Sequence, residues 1–132
     1  MMNIIIRMLI AGLLSATVCA CAFDVVKVKR SPVVLDITDQ VKTGFVLLEV
    51  ADVKLDTGYH RKLKKDTAWQ YVGTVPAGDV FKTTDQVLTV EGSNVFEAYI
   101  VANDGKLVGF YLPVEKAYTA LGRIVELKYR NL

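Results

Sequence analysis

The sequence predicts an all-β domain, an antiparallel meander that closes into a small barrel or sandwich and is preceded by an N-terminal signal segment. Three observations support this fold class. Short runs rich in β-branched and aromatic residues recur along the chain, turn signals separate them, and neither an amphipathic helix nor an internal repeat appears. Strands this short and this frequent are typical of antiparallel sandwiches and small barrels.

Residues 1–22 are predicted to be an export signal peptide, and residues 23–132 a single β domain. Arg7 is the only charged residue before Asp24, and an apolar run from Met8 to Val18 is followed by small residues. This order of regions is typical of a bacterial signal peptide. The run is short for a membrane span of ~20 residues, which leaves an uncleaved anchor as the less favoured alternative. Removal of the signal leaves about 110 residues, enough for one small domain.

Two cleavage sites fit the end of the signal. Val18-Cys19-Ala20-Cys21 resembles a lipobox, and cleavage there would leave an acylated Cys21 that anchors the domain to the outer membrane. Ala20-Cys21-Ala22 fits the A-x-A rule instead and would release a soluble periplasmic chain that starts at Phe23. Both cysteines of the chain lie here, so the domain that follows is predicted to contain no disulfide.

Charge and motifs argue against several classes of function. The 16 basic residues are nearly balanced by 14 acidic ones, unlike the basic surface of a nucleic-acid-binding protein. His60 is the only histidine, with no neighbouring Cys for a zinc site and no evident partner for general-base catalysis. No G-x-S-x-G element and no Gly-rich phosphate loop is present. We therefore predict no catalytic residue, no metal and no cofactor.

The first half of the domain is predicted to contain several β-prone runs. Phe23–Lys29 and Pro32–Thr38 are short, and the proline restricts the second run to a sheet edge or a strand start. Thr43–Leu55 is predicted to break into two strands near Ala51, with a short helix as the alternative because its apolar residues show no period. Trp69–Val75 alternates like a strand and ends at a Pro-Ala-Gly turn.

The segment Asp56–Asp66 is polar and is predicted to be a loop. Its cations could meet an anionic lipid headgroup or an acidic partner. The run is short and flanked by acids, which favours a solvated loop. The four candidate residues are Arg61, Lys62, Lys64 and Lys65.

A β-hairpin is predicted over Val95–Pro113, around the turn signal Asn103-Asp104-Gly105. A two-residue loop would scatter apolar residues over both faces of the hairpin. A three-residue loop pairs Ile100 with Val108 and collects the apolar residues on one face, which is the register we predict. The segment after Pro113 is predicted to connect to a last strand over Arg123–Tyr129.

The same register extends to earlier strands. Val90 is predicted to pair with Phe96 around Gly92-Ser93-Asn94, and Leu88 with both Ala98 and Val80. Nine residues then share one apolar face, and agreement across strands is stronger support than any single propensity. They are Val80, Leu88, Val90, Phe96, Ala98, Ile100, Val108, Phe110 and Leu112.

The opposite face of this meander is the candidate binding face, and the register places Tyr99 across from Gly109 on it. A solvated face would be more polar than this one. Either strands from the N-terminal half of the domain, Phe45–Leu55 or Trp69–Val75, cover it in a closed barrel or sandwich, or it is an exposed patch that binds a partner. Its candidate residues are Phe81, Tyr99, Tyr111, Glu97 and Asp79.

Two resemblances accompany this prediction. Gly109-Phe110-Tyr111-Leu112-Pro113, a hairpin that leads through a proline into a turn and a last strand, resembles the distal end of an SH3-like barrel. The segments Phe23–Val26, Gly78–Phe81 and Gly109–Glu115 are similar to small exported Gram-negative proteins of unknown function. The second resemblance implies an envelope protein, and it implies neither an activity nor site residues.

The predicted function is that of a non-enzymatic envelope protein that binds a protein or glycan partner through the face of Tyr99 and Tyr111. One alternative is an inhibitor or immunity-type protein that blocks an envelope enzyme with the loop Asp56–Asp66. The other is a small hydrolase, which would need a pocket lined by two suitably spaced carboxylates.

Overall fold

The computed structural model describes residues 27–37 and 42–132. The predicted signal peptide, Cys21 and the segment Phe23–Val26 lie outside the described residues. The described chain is all-β, with antiparallel sheets and no helix, as the sequence predicts. Within this part of the chain there is accordingly no helix of the length and apolarity that a membrane span requires.

The described residues form twelve strands, and eight of them build one antiparallel sheet in the order β1-β11-β10-β9-β6-β5-β2-β12. Two separate ribbons pair β3 with β4 and β7 with β8. The ends of the large sheet, β1 and β12, do not pair, and no closed barrel is found among the described strands. The strands are β1 (Ser31–Pro32), β2 (Phe45–Leu47), β3 (Ala51–Lys54), β4 (His60–Leu63), β5 (Ala68–Val75), β6 (Gly78–Lys82), β7 (Thr89–Glu91), β8 (Val95–Glu97), β9 (Tyr99–Asn103), β10 (Lys106–Leu112), β11 (Ala117–Glu126) and β12 (Tyr129–Asn131).

The larger hydrophobic core joins one face of the large sheet to the two ribbons. Trp69 and Phe110 of the sheet are fully buried in it, together with Leu63 of the β3–β4 ribbon and Val90 of the β7–β8 ribbon. Burial of each large apolar side chain contributes roughly 1.5–3 kcal/mol. The ribbons therefore stabilise the fold by covering a face of the sheet that would otherwise be solvated.

A second, smaller core lies on the opposite face of the sheet. Val80, Val101 and Tyr111 are buried there, and the segment after β1 covers them with Val33 and Leu35. Backbone hydrogen bonds between residues 36 and 74, one in each direction at 2.8 Å, hold this segment against β5. Both faces of the sheet are thus covered, but the cover of this face is the segment after β1 and not a strand from Phe45–Leu55 or Trp69–Val75, the two runs that the sequence prediction named.

The register of the β9–β10 hairpin differs from the predicted one. Its loop is the two-residue turn Asp104-Gly105, whose φ angles of 51° and 72° are both left-handed, as a type I′ turn requires. A β-bulge at Val108 then shifts the register, so that Phe110 pairs with Ile100. The bulge brings apolar residues onto one face. The sequence prediction reaches a similar grouping with a three-residue loop, because it assumes strand pairing without a bulge.

The bulge also changes which ring covers the strand glycine. Tyr99 pairs with Tyr111 rather than with Gly109. The ring that lies against Gly109 belongs to Tyr118 of β11. The Tyr118 hydroxyl donates a hydrogen bond to the carbonyl of Val108 at 3.1 Å, which ties β11 to the bulge. The prediction that Tyr99 covers Gly109 was therefore wrong, because the bulge moves Tyr99 opposite Tyr111 and the ring of Tyr118 covers the glycine instead.

Seven of the nine residues predicted to share a face belong to the larger core. The predicted pair Val90–Phe96 is confirmed, and Ala98 N–H donates to the Leu88 carbonyl at 2.9 Å. The exceptions, Val80 and Val108, belong to the smaller core. The prediction for Val80 was wrong because it pairs Val80 with Leu88, in the segment before β7. In the structure β6 pairs with β5 and β9 instead.

Three local predictions need correction. The segment Asp56–Asp66 is not one loop, because His60–Leu63 forms β4 and pairs with β3. The break within Thr43–Leu55 falls at residues 48–50, just before the expected position, and Ala51 is already the first residue of β3. The segment after Pro113, predicted to be a connection, contains the start of β11. In β4 a polar sequence concealed a strand, because its partner β3 and not its own pattern determines the pairing.

Candidate binding cavity

A cavity of about 520 Å³ opens where β12 approaches the tip of the β9–β10 hairpin. The Leu127 N–H donates to the Gly105 carbonyl at 3.0 Å, and the ring of Tyr129 packs against Gly105. We call this space the seam cavity, since it lies where the sheet curves toward itself without closing. Its apolar floor consists of Phe45, Phe81, Ala102 and Leu127, and its rim carries Lys42, Asp79, Asp104, Tyr129 and Asn131.

Aromatic rings hold the floor in place. The rings of Phe45 and Phe81 meet edge to face, with centroids 4.9 Å apart, and the Tyr129 ring meets Phe45 in the same way at 5.5 Å. Such pairs contribute about 0.5–1.5 kcal/mol beyond their buried area. Phe45 and Phe81 are buried, whereas Tyr129 is 40% exposed. Tyr129 therefore lies on the rim, where solvent reaches it, and its ring also packs against the floor.

A chain of polar contacts forms one side of the rim. The Lys42 ammonium donates to both carboxylate oxygens of Asp79, at 2.9 and 3.0 Å. The Thr74 hydroxyl donates to the same carboxylate at 3.1 Å, and the Tyr71 hydroxyl lies 2.6 Å from that of Thr74. The hydrogen bond to Asp79 is the main cause that raises the pKa of Lys42 above 10.5. Hydrogen bonds from Lys42 and Thr74 therefore fix the position of Asp79 at the mouth.

The other side of the rim adds a second carboxylate. Asp104 lies in the type I′ turn and lines the cavity. Within the described residues its carboxylate makes no hydrogen bond or ion pair. The charged residues of the lining are thus two carboxylates and one ammonium, a net negative charge above an apolar floor. Pockets of this size with an apolar floor and a few polar groups are typical of ligand-binding sites.

The structure brings two of the five predicted binding-face residues together in this cavity. Phe81 lies in its floor and Asp79 on its rim. Tyr111 is buried in the smaller core, with its ring centroid 6.4 Å from that of the half-buried Tyr99. Burial, followed by the charge of Glu97, raises the pKa of Tyr99. The predicted face is divided in this way because β6 pairs with β9 and shifts Phe81 to the other side of the sheet.

Glu97 lies in a shallower cleft on the outer side of the molecule. It is exposed, and Tyr99 and the segment 82–88 line the same cleft. The cleft contains both Lys82 and Asp85, and its floor carries no cluster of rings. Glu97 and Asp79, both assigned to the candidate binding face by the sequence, therefore line different cavities.

The four cations of the predicted basic loop do not converge on one site. Arg61 is half-buried and donates to the Val87 carbonyl at 3.3 Å and to the Tyr59 hydroxyl at 3.5 Å. Lys62 lies 4.0 Å from Asp52 on the other face of the ribbon. Lys64 and Lys65 are exposed in the turn after β4. Arg61 thus joins the two ribbons, and only the lysines remain available to a partner.

A larger cleft, of about 920 Å³, separates β3 from the second half of β11. Its lining mixes Asp52, Asp56 and Glu126 with Arg123 and lacks aromatic residues. His60 also lines it, 3.9 Å from Asp52, and both side chains are more than half exposed. In the described ranges, no three residues among His, Cys, Asp and Glu are placed to hold a metal ion. This cleft combines opposed charges with aliphatic side chains such as Leu55 and Ile124, and it has no floor of packed rings.

Sequence reasoning missed Lys42, Phe45, Tyr129 and Asn131. Phe45 stood in an apolar run without a period, and Tyr129 was predicted only as part of an alternating last strand. Asn131 pairs with Phe45 across β12 and β2, a contact between residues 86 positions apart in the sequence. The one signal in the sequence was the aromatic residue at the end of the last alternating strand. Comparisons of the chain with protein-family models, with curated proteins and with solved structures find no match.

Proposed function

We propose that this chain is an exported, non-enzymatic binding protein of the bacterial cell envelope, which holds part of a protein or glycan partner in the seam cavity. The observation that carries the proposal is a cavity with a floor of mutually packed rings, beneath a rim that carries two carboxylates and the 40% exposed Tyr129. A preformed apolar site of this kind binds without the entropic cost of ordering it first.

The arrangement of the rim favours binding over catalysis. A general acid or base needs a carboxylate that is free to exchange a proton with a substrate. Asp79 accepts hydrogen bonds from Lys42 and Thr74, so its oxygens are already engaged by neighbouring side chains. Asp79 is therefore better placed to hold a cationic group than to reach a proton of a substrate.

The proposed location rests on the sequence of the signal. Arg7, the apolar run up to Val18 and the small residues around Cys21 favour export. Acylation of Cys21 would make the protein an outer-membrane lipoprotein, and cleavage before Phe23 would make it a soluble periplasmic protein. Either form would present the seam cavity to the envelope.

The test compares cavity variants of the exported protein for retention of envelope components. Tyr129→Ala removes an exposed ring of the mouth, and Asp79→Asn removes a rim charge. Val114→Ala is the matched control, because Val114 is 74% exposed in the turn between β10 and β11 and does not line the cavity. Binding is measured to immobilised envelope extract and to isolated peptidoglycan sacculi.

We expect wild type and Val114→Ala to retain the same component, and both cavity variants to lose at least about tenfold in affinity, equivalent to one or two lost contacts. Thermal unfolding of each variant checks that the fold is intact. Retention that is the same in all four proteins, or in none, would overturn the proposed function.

A further inference from the structure

We propose that the partner is a protein segment that adds as an extended strand to the free edge of β12 and inserts a Lys or Arg side chain into the seam cavity. The proposal rests on the proposed function and names the class of partner. It is carried by the backbone of β12, by the position of the cavity next to it, and by the charge of the rim.

Along one edge of β12, backbone groups point away from the neighbouring strand β2. The Lys128 carbonyl accepts from Leu48 N–H at 2.8 Å, and Leu132 N–H donates to the Gly44 carbonyl at 3.0 Å, so both residues face β2. In an antiparallel strand, residues that face one neighbour alternate with residues that face the other side. The N–H and C=O groups of Tyr129 and Asn131 therefore point away from β2.

No described strand pairs with those groups. β12 is the last strand of the sheet, with β2 as its only neighbour in the described chain, and its three residues are exposed. An exposed edge with unpaired backbone groups is a template for a further strand. Recognition by strand addition derives affinity from the backbone and selectivity from pockets that take alternate side chains.

The seam cavity is placed to be such a pocket. The side chains of Tyr129 and Asn131 both line it. An added strand would lie about 4.8 Å from β12, and a residue directly opposite Tyr129 or Asn131 would point to the same face. One side chain of the added strand would then enter the cavity above Phe45 and Phe81.

The charge of the rim favours a cationic side chain. Asp79 and Asp104 are the acidic residues of the lining, and the Lys42 ammonium already shows that Asp79 holds a primary amine at 2.9 Å. The aliphatic stem of an incoming Lys or Arg would cover the aromatic floor, and its head would replace Lys42 at the carboxylate. Lys42 can leave at little cost, because its side chain is exposed and water solvates the released ammonium.

The probe is a phage-displayed library of random dodecapeptides, selected on the wild-type protein and followed by synthesis of the selected peptides. The decisive variants are Asn131→Ala, which removes the side chain and keeps the N–H, and Asn131→Pro, which removes the N–H as well. Because this N–H points away from β2, proline at an edge strand leaves the β2 pairing intact. Thermal unfolding of both variants checks this.

We expect the selected peptides to share a basic residue. We expect Asn131→Pro to bind them at least about tenfold more weakly than Asn131→Ala, the effect of one lost hydrogen bond. In the wild-type protein, the peptide should slow hydrogen exchange at the amides of Tyr129 and Asn131. This second readout keeps the proposal testable should the proline variant fail to fold.

The remaining outcomes separate this inference from the proposed function. Peptides that need Tyr129 and Asp79 but bind both Asn131 variants equally, without amide protection, would show cavity binding without strand addition. Sacculi bound in a Tyr129-dependent manner, with no peptide selected, would identify a glycan ligand. Both results overturn the inference and leave the proposed function standing. If neither Tyr129→Ala nor Asp79→Asn weakens the binding of peptides or sacculi, both the inference and the proposed function are overturned.

Discussion

The Lys42 ammonium lies 2.9 Å from one carboxylate oxygen of Asp79 and 3.0 Å from the other, at the mouth of the seam cavity. The two side chains are 44% and 27% exposed. Ion pairs this exposed contribute little to stability, because water and salt screen them. The pair therefore affects the access and charge of the cavity more than the strength of the fold.

Replacement of Lys42 should strengthen the binding of a cationic ligand. Lys42→Met removes the internal competitor for Asp79, so we expect a basic peptide selected on the wild type to bind severalfold more tightly, measured by calorimetric titration. Lys128→Met is the matched control, since Lys128 pairs with Glu126 at 3.5 Å outside the cavity and should leave affinity unchanged. Weaker binding by Lys42→Met would mean that Lys42 contacts the ligand itself.

The ionisation of Lys42 should depend on Asp79. The hydrogen bond to Asp79 raises the Lys42 pKa above 10.5 in the folded protein. A raised pKa means that any stability from the pair is fully present below about pH 10.5 and is lost as pH rises through the folded value. We expect NMR titration of the Lys42 side chain to show a lower pKa in Asp79→Asn than in wild type. Identical titrations would contradict the observed contact.

The turn that borders the cavity should tolerate Ala less well than a comparable open turn. Gly105 has φ of 72°, and a Cβ there would lie 3.2 Å from the Tyr129 ring. Gly58 has φ of 84° with nothing within 4 Å. We expect Gly58→Ala to lose about 1 kcal/mol from backbone strain alone, and Gly105→Ala about 2 kcal/mol or more. Chemical denaturation measures both, and equal losses would show that the ring moves freely.

The outer tyrosines should behave as core rather than as a binding surface. Tyr111 is 5% exposed and packs in the smaller core, whereas Tyr99 is half-buried at its border. We expect Tyr111→Ser to lower the free energy of unfolding by about 3–4 kcal/mol and Tyr99→Ser by about half as much. A loss below about 1 kcal/mol for Tyr111→Ser would return these residues to the exposed patch that the sequence suggested.

The proposed lipid anchor can be tested at Cys19 and Cys21, the two cysteines of the predicted signal. We expect labelled palmitate to be incorporated into the wild-type protein, to be lost in Cys21→Ser, and to be retained in Cys19→Ser, because only Cys21 occupies the acylated position of the lipobox. Intact mass identifies the mature N-terminus. An unlabelled chain that begins at Phe23 would instead assign the protein to the soluble periplasm.

The candidate site was predictable only in part. The sequence singled out Asp79 and Phe81, and both line the seam cavity, but it assigned them to a face that also held Tyr99 and Tyr111. A single bulge at Val108 and the pairing of β6 with β9 separate the two sets. Bulges depend on packing against neighbouring strands, which a period of two along one strand does not reveal.

The amino-acid sequence by itself determined the all-β class, the pairing of Val90 with Phe96, and the place of Pro32 at a sheet edge. These depend on alternation, turn residues and backbone chemistry that act over a few neighbouring positions. Only the tertiary structure decided that Phe45 and Tyr129 share one cavity. Their contact requires the order and curvature of a sheet whose end strands stay unpaired, and that arrangement depends on the packing of the whole chain.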